Sequence, residues 1–119
     1  LIHYRRDNEA EPGKSEVLLY EVQPGAALLP LLSAALGVLV QVKKKREIYF
    51  IENVKFHLDE VEGLGAFVEI EAQDHLGLLG EVELHAQCRF YMEALGIRTD
   101  DLVAVSYSDM MLQGPGNSL

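Results

Sequence analysis

The sequence has one cysteine, Cys88, which excludes an intrachain disulfide and favours a reduced, cytoplasmic setting. Cys88 falls in a helical pattern, where it reads as a small buried hydrophobe. The histidines at 3, 75 and 85 stand at no zinc-ligand spacing with it, which argues against a zinc site. Basic residues are also scarce. Ten Lys and Arg against nineteen Asp and Glu give a formal charge of -9, the opposite of a nucleic-acid-binding footprint. An anion site on such a chain must be a local cluster of cations, and the only dense one is Lys43 to Arg46. No apolar run reaches the roughly 18 to 20 residues a bilayer span needs, so no membrane partner is expected. The nearest approach, Leu28 to Val42, is broken by Pro30, Ser33, Gly37 and Gln41. There is no G-x-x-x-x-G-K-[ST] phosphate loop, no G-x-S-x-G nucleophile elbow, and no repeat at solenoid periods.

A length of 119 residues and 49% apolar content imply one domain with a single core. Leu1 to Arg6 and Ser15 to Val22 read as a hairpin across a polar loop containing Pro12-Gly13. Leu28, Leu29, Leu32, Ala35 and Leu36 follow helical spacing, with Gly37 as the stop. Pro30 predicts a distorted first turn, and the helix is expected to cover the apolar outside of a sheet. Val38 to Ile51, Val54 to Val61 and Leu64 to Ala72 read as an antiparallel meander, turning at Glu52-Asn53 and Glu62-Gly63. From Gly77 to Leu95 the period becomes 3.6, with Leu84, Cys88, Tyr91 and Leu95 on one stripe. Thr99 is a candidate N-cap, and Ser106 to Asp109 could start a second short helix through Leu112.

The alternation of the meander sorts its charges. Lys44 and Arg46 share one face of the first strand, Lys55, His57 and Asp59 one face of the second, and Glu69 and Glu71 one face of the third. Periodicity leaves two readings open. Such a face is a solvent face, or it is the inner wall of a sheet closed around a wet tunnel. Tyr107 is likewise readable as packing or as a stacking platform.

The series V-x-K-x-R-x-x-Y (Val42, Lys44, Arg46, Tyr49) and H-L-D-x-V-x-x-L-G-x-F-x-E-I-E (His57 to Glu71) resembles the C-terminal half of a CYTH domain. This is the fold of class IV adenylyl cyclases and thiamine triphosphatases, the triphosphate tunnel metalloenzymes. LIHYRR (Leu1 to Arg6) and SYSDMML (Ser106 to Leu112) resemble the cyclase-like branch. The family's N-terminal E-x-E-x-K strand has no counterpart here. The resemblance therefore implies an α+β protein, an antiparallel β-barrel with helices packed outside and the N-terminal strands missing. Residues 1–113 would be the C-terminal portion of one CYTH-like domain and 114–119 a flexible tail.

The resemblance further implies that Arg5, Lys14, Lys44 and Arg46 bind a triphosphate and that Glu69 and Glu71 hold Mg²⁺ or Mn²⁺. Asp59 would be the catalytic residue, holding or deprotonating the nucleophile. The chemistry suits these types. Guanidinium and ammonium groups match phosphate oxygens, and paired carboxylates supply hard ligands. The implied activity is conversion of ATP to cyclic AMP and pyrophosphate, with a triphosphate phosphohydrolase or a non-catalytic polyphosphate or nucleotide-binding module as the alternatives. Open strand edges would also allow pairing with a second copy as a homodimer.

Overall fold

The computed structural model describes residues 1–7 and 9–114. The residues of the expected tail beyond 114 lie outside the described residues. Among the described residues, five strands and three α-helices run in the order β1 (Ile2–Arg5), β2 (Glu16–Leu19), α1 (Leu28–Leu36), β3 (Lys44–Ile51), β4 (Val54–Val61), β5 (Gly65–Ala72), α2 (Glu81–Ala94) and α3 (Tyr107–Gln113). The strands form two separate antiparallel sheets, the β1–β2 hairpin and the β3–β4–β5 meander. The fold class is α+β as expected, but the two sheets do not close into a barrel. A barrel whose interior holds side chains takes about eight strands. Five strands in two unconnected sheets leave β3 and β5 each with one unpaired edge among the described residues.

The meander has a fixed register. Arg46 pairs with Asp59 and Lys44 with Val61 across β3 and β4, while His57 pairs with Glu69 and Lys55 with Glu71 across β4 and β5. Directly paired residues point to the same side. All the charges singled out by alternation thus share one face. The opposite face carries Val54, Phe56, Leu58, Val68 and Ile70, and α2 packs on one end of it.

Two contacts fix α2 there. The Phe56 ring meets the Tyr91 ring edge-on at 4.9 Å. The side-chain amides of Asn53 and Gln87 exchange two hydrogen bonds of 2.8 and 2.9 Å. Val54 and Phe56 are consequently buried, whereas Leu58, on the same face but beyond the reach of α2, is 44% exposed. Burying such side chains contributes about 1.5 to 3 kcal/mol each; the third buried apolar residue, Val61, lies at the other end of β4, on the charged face.

Pro30 lies in the first turn of α1, where no backbone N–H is needed, and a helical hydrogen bond runs from Leu31 N to the Ala27 carbonyl. The first helix departs from expectation in one way. Leu29, Leu31 and Leu36 are exposed, so α1 does not cover the sheet. Its apolar pattern specified a helix but not a partner. At Thr99 the chain makes a 3-10 turn, and the preceding Arg98 N–H donates to Asp101 in its place. Ser106 caps α3 as anticipated, accepting from Asp109 N at 3.1 Å while Asp109 returns the bond.

Candidate functional site

Asp59 lies at the centre of the charged face. Only 2% of it is exposed. Arg46 donates to it in a fork, Nε to Oδ1 and Nη2 to Oδ2, both at 2.6 Å. Lys44 Nζ reaches Oδ2 at 3.3 Å, and Tyr107 Oη donates to the same oxygen at 2.9 Å. The first two donors follow from β3 alternation and register. The third arrives from α3, whose capping box places Tyr107 at its start.

Charge-assisted bonds favour the ionised acceptor. The Arg46 hydrogen bond, aided by those of Tyr107 and Lys44, overcomes the cost of burial and holds the Asp59 carboxyl well below the usual carboxylate range. Burial and the bond to Asp59 push the Tyr107 phenol well above its ordinary range, so it remains a donor at neutral pH.

The carboxylates of β5 lie further toward solvent. Glu69, 48% exposed in its side chain, receives Arg46 Nη2 at 3.3 Å and lies 2.8 Å from His57 Nδ1. Glu71 is ion-paired with Lys55 at 2.9 Å and accepts from Gln73 Nε2 at 2.8 Å. Burial raises the Glu71 carboxyl, but the Lys55 and Gln73 bonds outweigh it and hold the group low. Lys44, Arg46 and Lys55 thus face Asp59, Glu69 and Glu71, three cations against three carboxylates.

Lys44, Arg46, Asp59, Glu69 and Glu71 therefore stand together on one face. Arg5 and Lys14 do not join them; they belong to the β1–β2 hairpin and its loop, and the hairpin pairs with neither edge of the meander. Sequence reasoning left out His57 and Tyr107. His57 had a signal, since it shares the parity of Lys55 and Asp59. Tyr107 was readable as packing or as a stacking platform, but nothing pointed to a hydroxyl bond with Asp59, 48 positions away.

Among the described residues no cluster of three or more His, Cys, Asp or Glu side chains could hold a metal ion. Glu69 and Glu71 are the two carboxylates of β5 on this face, each already paired, Glu69 with Arg46 and Glu71 with Lys55. No helix among the described residues is long and apolar enough to cross a membrane.

Comparison with known proteins agrees with this architecture. A solved structure, the PH1819 protein from Pyrococcus horikoshii OT3, superposes with a TM-score of 0.66 at 24% identity and covers 94% of this chain. The chain spans 64% of the length of that structure. No curated protein matches. The CYTH domain matches residues 4–107, including both strands that meet at Asp59, and the chain belongs to the CYTH domain family.

Proposed function

We propose that the charged face of the meander is one wall of a triphosphate site that works with Mg²⁺ or Mn²⁺. The reaction proposed is the class IV adenylyl cyclase one, in which the ribose 3′-hydroxyl of ATP attacks the α-phosphorus and pyrophosphate leaves. One observation carries this reading: Lys44 and Arg46 converge on a single buried carboxylate while staying 30% and 27% exposed. Their charges are held in place by Asp59, yet remain accessible to an anion. Such preorganisation is what a transferring phosphoryl group requires.

Lys44 and Arg46 bind phosphate oxygens, Arg46 with its remaining guanidinium N–H groups and Lys44 as a point charge. Asp59 orients both cations; a carboxyl held so far below its ordinary range is a weak base, which favours a holding role over deprotonation. Glu69 and Glu71 are the ligands for the divalent ion, which when bound neutralises phosphate charge. With those carboxylates so engaged, Lys44, Arg46 and Lys55 carry surplus positive charge toward the substrate. Arg5 and Lys14 complete the anion set if the hairpin approaches the face. The single free cysteine supports a cytoplasmic setting. The unpaired edges of β3 and β5 support a homodimer, which would show as a mass that doubles with concentration in sedimentation.

A phosphorus NMR time course with Mg²⁺ or Mn²⁺ and, separately, ATP, tripolyphosphate and thiamine triphosphate tests the reaction. Cyclic AMP with pyrophosphate is expected. Orthophosphate would replace the cyclase with a triphosphate phosphohydrolase, and metal-dependent line broadening without products would leave a binding module.

A further inference from the structure

We propose that Tyr107 is a positioning residue of the anion site, acting through Asp59 and Lys44; the proposal rests on the triphosphate reading above. Three contacts converge on this one side chain. Its hydroxyl donates to Asp59 Oδ2 at 2.9 Å, the same oxygen that Lys44 approaches at 3.3 Å. Lys44 Nζ lies 5.1 Å from the centroid of its ring. The ring in turn rests on Phe67 of β5, with centroids 4.9 Å apart and planes inclined at 51°.

The arrangement sets where the Lys44 charge lies. Oδ2 is shared among Arg46, Lys44 and the phenol, so the hydroxyl occupies acceptor capacity that Lys44 would otherwise take up. The ring face offers the ammonium a second, weaker attraction away from the carboxylate. Lys44 is thus held near Asp59 without being closed into a tight ion pair, and it stays available to a phosphate oxygen. Without the hydroxyl, Lys44 settles onto Oδ2 and is partly withdrawn from the anion. Phe67 and the Ser106–Asp109 cap keep the phenol in place from both sides.

The test is calorimetric titration of inorganic tripolyphosphate, with Mg²⁺ present, into the full chain and into Tyr107→Phe, Lys44→Ala and the double variant. Tyr107→Phe keeps the ring and removes the hydroxyl. It should weaken binding about threefold to tenfold, the scale of one ordinary hydrogen bond because the hydroxyl acts only through Lys44, and should have no further effect once Lys44 is alanine. A second reading needs no change at Tyr107. With tyrosine labelled at Cζ, tripolyphosphate should shift the Tyr107 resonance in the native chain and not in Lys44→Ala. Losses that simply multiply in the double variant, or a Tyr107 resonance that ignores the anion while binding proceeds, overturn the proposal. Undiminished binding by Lys44→Ala and Arg46→Ala would instead overturn the triphosphate reading beneath it.

Discussion

Replacing Asp59 with Asn would remove one charge and leave two cations facing an amide. Asp59 accepts four hydrogen bonds from three side chains while only 2% exposed. Breaking a fully buried ion pair costs about 3 to 5 kcal/mol. Here Lys44 and Arg46 can rehydrate, being 30% and 27% exposed, and Asn keeps one acceptor oxygen, so about 2 to 3 kcal/mol is expected. Against the roughly 5 to 15 kcal/mol typical of a whole domain, this is a large loss.

The same substitution has a pH signature. The folded-state pKa of Asp59 is depressed, so its stabilisation is complete above the ordinary carboxylate range and declines as pH falls below about 4. Urea unfolding followed by circular dichroism should show native and Asp59→Asn chains separated by about 2 to 3 kcal/mol at pH 7. The gap should narrow by about 1 kcal/mol at pH 3, because the unfolded native chain then takes up a proton that Asn cannot. Carboxylates that share no partner with Asp59 affect both chains equally. A gap under about 0.5 kcal/mol at pH 7, or one that does not change with pH, would refute the reasoning.

Lys44→Ala should weaken tripolyphosphate binding about tenfold while Lys45→Ala, on the other face of β3, changes it little; calorimetry showing equal effects would contradict the register argument. Glu69→Gln combined with Glu71→Gln should abolish the Mg²⁺ dependence of that binding with the circular dichroism spectrum unchanged, and a retained metal response would remove these two as ligands. Glu52 has φ of +52° in the β3–β4 turn, a conformation that costs a side-chain-bearing residue about 1 kcal/mol. Glu52→Gly should therefore stabilise the meander by about 0.5 to 1 kcal/mol in urea unfolding, and a destabilisation would mean that the Glu52 side chain contributes more than the turn costs.

Much of the meander was legible because its information is local. Period-2 alternation put Lys44, Arg46, Asp59, Glu69 and Glu71 on one face, and turn residues fixed where the strands reverse. Ser106 and Asp109 announced α3 in the same way. What was not legible depends on contacts between distant segments. Barrel closure requires the edges of β3 and β5 to find the hairpin, and no period in the sequence encodes that meeting. The outward exposure of Leu58, despite its sharing a face with Phe56, follows from where α2 ends its cover. Gln87 reads as a polar residue off the apolar stripe, yet it faces the sheet because Asn53 offers a reciprocal amide. Tyr107 joins Asp59 only through the path that the chain takes after α2.

The central claim, that Lys44 and Arg46 on their Asp59 anchor receive a triphosphate, is tested most directly at the Arg46 side chain. Nitrogen-15 labelling of the five arginines resolves Nε–H signals, with Arg46→Lys assigning the one of interest. Adding tripolyphosphate with Mg²⁺ should shift the Arg46 signal in step with binding while those of Arg89 and Arg98 stay still. Saturable binding that leaves the Arg46 signal unmoved would place the anion elsewhere and contradict the account.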